Sequence, residues 1–160
     1  MELDLQDFRQ TMGSFASGIV IVTGMDARQP LGFAAQSFIS LSLEPALICF
    51  SPAKTSSTWP KIRDSGVFGI NVLAADQTSV CQSMASSGGD KFAGVEWRPG
   101  QLNVPILEGV LAYIECSVEA EHEAGDHTLV IGRVASAARV RKSMDPLLYF
   151  RSAYGTFAPS

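Results

Sequence analysis

The chain has 160 residues, 46% hydrophobic and 18% charged, with a net charge of −4, a profile of one globular domain with its own core rather than of a disordered or fibrous chain. The acidic balance and the lack of a long Lys/Arg run exclude an electrostatic grip on nucleic acid, the short cluster Arg139-Val140-Arg141-Lys142 reading as a solvated loop. No apolar segment reaches the roughly 20 residues of a membrane span, and Met1-Glu2-Leu3-Asp4 opens with acid where a secretory signal needs base, so no membrane and a cytoplasmic location are expected.

Leu5, Phe8, Met12 and Phe15 recur at helical spacing and predict an amphipathic N-terminal helix, weakened by Gly13, whose apolar face needs a cover. The β-branched run Ile19 to Thr23 between Gly18 and Gly24 predicts a first strand, and Ala27 to Pro30 a turn. From Gly32 to Leu43 the period is two: Ser37, Ile39, Leu41 and Leu43 share one face, Phe38, Ser40 and Ser42 the other. After Glu44-Pro45, the apolar run Ala46 to Phe50 predicts a strand covered on both faces.

Ser57 or Thr58 is placed to cap a short helix with Pro60 in its first turn and Gly66 as its stop. Val67 to Leu73 returns as strand, Asp76 is placed to cap a helix through Met84, and Ser86-Ser87-Gly88-Gly89 reads as a flexible loop. Leu111 to Ala120 alternates as a half-exposed strand, Gly125-Asp126 supplies a turn, His127 to Val134 pairs back, and Leu147 to Phe150 makes a last strand. Short antiparallel strands with a few small helices in a single domain, 1–160, suggest a closed or nearly closed β-barrel.

Cys49, Cys81 and Cys116 are odd in number and far apart, which fits buried, inert thiols better than a redox or zinc motif. Rossmann, Walker and nucleophile-elbow motifs are absent. His122, Asp126 and His127 lie close in sequence, but with no thiolate pair beside them they read as a polar turn, and no metal is expected. What remains is the stretch from Ala34 to Thr58. Small residues at Ala34 to Ser37 let a flat polar ring approach the main chain, and Lys54 to Thr58 offers hydroxyls, amides and a cation suited to a phosphate monoester. The competing reading of those hydroxyls is as helix caps.

Seven blocks carry a resemblance: Gly32-Phe33-Ala34-Ala35-Gln36-Ser37-Phe38 with Ser40 to Pro45, then Ser51-Pro52, Ser57-Thr58-Trp59, Asn71-Val72-Leu73, Asp90-Lys91-Phe92-Ala93-Gly94, Gly125-Asp126-His127, and Leu147 to Arg151. In this order and spacing the chain resembles the flavin reductases, the NAD(P)H:flavin oxidoreductase components of two-component monooxygenases. The resemblance implies a mainly β, antiparallel, FMN-binding split β-barrel, a homodimer, FMN or FAD as flavin, NADH or NADPH as reductant, and an oxygenase that receives the reduced flavin; the lack of a clear Arg cluster for a 2′-phosphate favours NADH. It assigns Ala35, Gln36, Ser37, Ser51 and Pro52 to the flavin ring and ribityl chain, Ser57 and Thr58 to the phosphate, and Lys91 and Phe92 to a block closing over the flavin. His127 is carried over as the catalytic residue beside the nicotinamide, bordered by Tyr149 and Arg151. Two departures are Ala46, where the family usually has Pro, and the end at Ser160 without a further tail. A non-catalytic flavin-binding or electron-carrier module on the same barrel is the alternative.

Overall fold

The computed structural model describes residues 3–160; Met1 and Glu2, part of the opening read above, lie outside them. Helix α1 (Leu5–Met12) starts at Asp4, whose Oδ1 accepts from the amides of Gln6 and Asp7 at 2.7 and 3.1 Å, and Gly13 ends it. It is shorter than the apolar spacing predicts, and none of its residues is buried. Then follow β1 (Ser17–Gly18), β2 (Val20–Asp26), β3 (Gln29–Ala35), β4 (Ile39–Leu43), β5 (Ala46–Phe50), α2 (Trp59–Asp64), β6 (Val67–Val72) and α3 (Thr78–Ala85). The chain continues through β7 (Trp97–Pro99), β8 (Pro105–Leu107), β9 (Ala112–Ala124), β10 (His127–Arg139), β11 (Leu148–Phe150) and β12 (Ala153–Gly155).

The main sheet has seven strands in the order β3-β2-β6-β9-β10-β5-β4, and every paired register in it is antiparallel. Its two edge strands, β3 and β4, are joined by only the residues between Ala35 and Ile39, a reach of about 14 Å. Seven flat strands would set those edges about 29 Å apart, so the sheet must curl back on itself. No ladder joins β3 to β4 among the described residues, and the sheet is therefore open. The period-two segment from Gly32 to Leu43, expected as one strand, is two strands on opposite edges; the extended chain leaves the sheet at Gln36 to re-enter it beside β5.

Strand β2 shows why the β-branched run works. Val20 and Val22 pack on one face with Ile48, Phe50, Phe68, Ile70, Cys116 and Val130, where Trp59 and Ile62 of α2 complete the cluster. Ile19 and Ile21 join a second cluster with Cys81 and Met84 of α3, Leu73, Leu107, Val110 and Leu147. Phe50, Trp59 and Phe68 meet edge-on, with ring centroids 5.2 to 5.8 Å apart, each contact adding about 0.5–1.5 kcal/mol beyond its buried area. Ala46 to Phe50 is covered only from Ile48 onward, because β4, its neighbour, is an edge.

The long hairpin β9–β10 exceeds the expected Leu111–Ala120 and His127–Val134 at its far ends. Its two-residue turn has Gly125 at φ 67° as the first central residue, the position that demands glycine in a tight hairpin. Asp76 does not cap α3; the N-cap is Gln77, without a side-chain cap bond, and Asp76 instead takes both Nη atoms of Arg141 at 2.9 Å. The guanidinium holds the Asp76 carboxyl below its ordinary range. Asn71 is fully buried: its Nδ2 donates to Thr23 Oγ1 and Pro105 O, and its Oδ1 accepts from Leu107 N at 2.8 Å. It is the strut that fixes β8 against the sheet.

A separate three-stranded sheet, β1-β11-β12, carries the C-terminal hairpin. The turn residues Arg151 and Ser152 both have positive φ, and Arg151 N donates to Gly13 O at 3.1 Å, tying the hairpin to the end of α1. No helix among the described residues is long and apolar enough to cross a membrane.

Candidate active site

A cavity of about 1100 Å³ forms a cleft along β3. Its floor is small for a packing reason. A Cβ on Gly32 would stand 3.1 Å from Met84 Sδ and 3.2 Å from Val22 O, so α3 settles onto β3 only over glycine, and Ala34 and Ala35 continue the same low wall. Ser37 closes the next stretch. Its hydroxyl accepts from Ser51 N at 2.9 Å, linking the end of β3 to the residues after β5, and Gln36, Ser37, Ser51 and Pro52 all line the cleft.

Past Pro52 the chain runs to α2. The capping oxygen here is Ser56 Oγ, which accepts from the amides of Thr58 and Trp59 at 3.3 and 3.1 Å. Thr58 occupies the N-cap without a side-chain cap bond. The N-cap thus falls at Thr58, one of the two expected positions, but the capping side chain is that of Ser56, and both Ser57 and Thr58 line the cleft. Lys54, the cation expected beside them, is instead engaged with Glu123. The cation that lines the cleft is Lys91, whose Nζ donates to Met84 O at 3.1 Å; partial burial lowers its pKa. Asp90 Oδ1 accepts from Phe92 N at 3.0 Å, and Phe92 packs edge-on against Trp97 at 6.3 Å. Between α3 and Lys91 the exposed segment Ser86–Asp90 borders the same space.

His127 begins β10, bridged to Ala53 and set by two backbone bonds: Lys54 N to Asp126 O, 2.9 Å, and Thr128 N to Pro52 O, 3.0 Å. Its Nδ1 lies 2.7 Å from Asp126 Oδ1. A carboxylate only accepts, so Nδ1 carries the proton and Nε2 is left for a ligand. The hydrogen bond and charge of His127 hold the Asp126 carboxyl below its ordinary value.

Of the residues assigned by resemblance, Ala35, Gln36, Ser37, Ser51, Pro52, Ser57, Thr58, Lys91, Phe92, His127 and Tyr149 meet at this one cleft. Arg151 does not. It borders a separate depression of about 610 Å³ with Arg9 and the end of α1, its guanidinium 4.9 Å over the Phe150 ring. Sequence reasoning missed Ser56, Cys81 and Tyr154. Ser56 was visible within the hydroxyl cluster, but Tyr154 follows a turn of Arg and Ser that lacks the usual Asn-Gly signal.

The residues fit a flavin: a low strand wall for a flat ring, hydroxyls free of capping duty for a phosphate, and a volume sufficient for a ring system and a second planar group. The profile of the flavin reductase like domain matches residues 12–158. The chain belongs to the flavin reductase-like family. Among its flavin reductase relatives, the reductase subunit HsaB of a flavin-dependent monooxygenase from Rhodococcus jostii (strain RHA1) is 46% identical over 157 residues, 98% of this chain and 80% of that protein. The crystal structure of nitrilotriacetate monooxygenase component B from Mycobacterium thermoresistibile superposes with a TM-score of 0.94 at 41% identity, covering 96% of this chain and 87% of that one. An NADH:FAD oxidoreductase of Streptomyces globisporus C-1027, solved with NAD and FAD fragments, gives a TM-score of 0.91 at 30% identity over 99% and 98% of the two chains.

Proposed function

We propose that the protein is an NADH-dependent flavin reductase that reduces FMN or FAD and supplies the reduced flavin to an oxygenase component. The observation that carries this reading is the single cleft at which the small-residue strand, the uncapped hydroxyls, Lys91 and the Asp126–His127 pair converge. The flavin, when bound, supplies a ring that accepts a hydride from the dihydronicotinamide, which leaves as the oxidised nucleotide. The chain's own contribution is position. Ala34 to Ser37 offer main-chain donors and acceptors to the ring edge, Ser57 and Thr58 hold the phosphate, and Phe92 covers apolar surface and excludes water. His127, oriented through Nδ1 by Asp126, presents Nε2 to the nicotinamide and fixes its angle.

Among the described residues no arginine lines the cleft, which offers a 2′-phosphate no guanidinium and supports NADH as the preferred donor. We read the assembly as a split-barrel homodimer. The apolar side chains of α1, Leu5, Phe8 and Met12, are exposed, and so is the apolar face of β4, Ile39, Leu41 and Leu43, the last at 90%. A bulge at Leu41 between Ser40 and Ser42 turns that edge outward, and a second copy is the partner whose matching faces would cover both.

The test is steady-state NADH consumption by purified protein with micromolar FMN or FAD. Flavin-dependent turnover insensitive to chelator is expected; turnover abolished by chelator and restored by metal would overturn the reading.

A further inference from the structure

The cleft has two chemically different ends. Ile62 of α2 lies against Gly24 of β2, the register partner of Leu31, which draws the hydroxyl-bearing residues before α2 towards the start of β3. At the far end Ser17 Oγ donates to Gln36 Oε1 at 3.3 Å. Ser17 is the register partner of Tyr149, and Tyr149 of Tyr154. Ser37 leads the other way: to Ser51 through its hydroxyl, to Pro52, whose carbonyl accepts from Thr128 N, and so to His127. His127 on one side and the two tyrosines on the other therefore flank the Gln36–Ser37 end.

Tyr154 is the member of this pair that the core does not use. It is 40% exposed on edge strand β12. Two contacts fix its ring: the hydroxyl lies 3.6 Å from Cys81 Sγ on α3, and the ring meets Tyr149 at 5.4 Å between centroids, 65° between planes. Burial pushes the Cys81 thiol pKa up and keeps it a neutral partner for the hydroxyl. An aromatic ring held on two sides in a cleft wall, with the rest of its surface open, is a packing platform for another planar group.

We propose that Tyr154, tethered to Cys81, is a positioning residue for the pyridine nucleotide, forming the wall against which the nicotinamide packs opposite His127. The assignment rests on the reductase reading. A nicotinamide is neutral as donor and cationic once its hydride has left, and an aromatic ring accommodates both, favouring the cation. A wall on the side away from His127 also narrows the angles at which the ring can lie.

The experiment compares wild type with Tyr154→Ala, Tyr154→Leu and Cys81→Ala, measuring KM for NADH, kcat, FMN affinity by fluorescence quenching, and melting temperature. Tyr154→Ala should raise KM for NADH about three- to thirtyfold with FMN affinity held within about twofold, and Cys81→Ala should move KM in the same direction by less, since it removes only the tether. Tyr154→Leu keeps apolar bulk without an aromatic face and should behave as the alanine variant, which keeps the test decisive if the smaller residue impairs folding. Equal losses of FMN and NADH affinity, or an unchanged KM with a lowered melting temperature, would overturn the proposal. A wild type that turns over while Tyr154→Leu keeps its KM would sink this assignment alone; a wild type with no flavin-dependent NADH oxidation would sink the reductase reading itself.

Discussion

At the scale of single residues, one serine separates two explanations of the same hydroxyl cluster. Lys54 to Thr58 could serve as cap or as phosphate site, and spacing alone leaves both open because the two jobs use the same chemical group. Ser56 takes the capping job: its oxygen accepts from the amides of Thr58 and Trp59, and the Thr58 side chain makes no cap bond. If Ser57 and Thr58 hold the phosphate as proposed, removing two hydrogen bonds to a charged group, each worth about 1.5–3 kcal/mol, should weaken FMN by about a hundredfold to ten-thousandfold in Ser57→Ala/Thr58→Ala, with riboflavin affinity and melting temperature little changed. Ser56→Ala should do the opposite, lowering the melting temperature through loss of a cap worth about 1 kcal/mol. Parallel affinity measurements with both flavins check the pair; equal losses for FMN and riboflavin would return Ser57 and Thr58 to structural roles. The cysteines were legible for a simple reason, their place in apolar patterns, and burial pushes the Cys116 thiol up to about 12.

At the scale of elements, periodicity told strand from helix but not which face was covered. Ile39, Leu41 and Leu43 alternate as a core-facing strand would, yet they are exposed on the edge strand, because alternation marks an apolar face without saying what covers it. Sheet order was equally hidden: that β3 and β4 sit on opposite edges depends on contacts between distant strands, which no local window contains. Asp76 failed as a cap for a similar reason, its partner Arg141 being 65 residues away. That pair pins the segment after β10 to the start of α3, and its pH signature follows from sign. The folded pKa of Asp76 lies below its ordinary 3.8, so the pair's contribution is fully present above that value and is lost as pH falls through the folded pKa. Asp76→Asn should therefore melt below wild type at neutral pH, with the gap closing in acid below pH 3.8. A gap that persists unchanged there would mean that the aspartate acts through something other than its charge.

At the scale of the whole molecule, an open, curled sheet carries its cleft along β3, one of the two edges that it leaves unpaired. In the proposed dimer a second copy covers the exposed faces of α1 and β4, so light scattering at micromolar concentration should give a dimer, and Leu43→Asp, placing a charge on that face, should shift it towards monomer. An active wild-type monomer would reject the arrangement. The site was readable in sequence largely because its blocks recur across a family in fixed order, while the residues that close it at the hairpin, Tyr154 above all, carry no such signal. The central claim is direct hydride transfer between two rings held in this cleft. Rapid anaerobic mixing of FMN-loaded protein with NADH, and with NADH deuterated at the transferred C4 position, measures that step alone. The account predicts loss of the visible flavin band with one NADH consumed per flavin, slower for the deuterated donor and slower still in His127→Ala with FMN affinity retained; an unbleached flavin in the presence of excess NADH would contradict it.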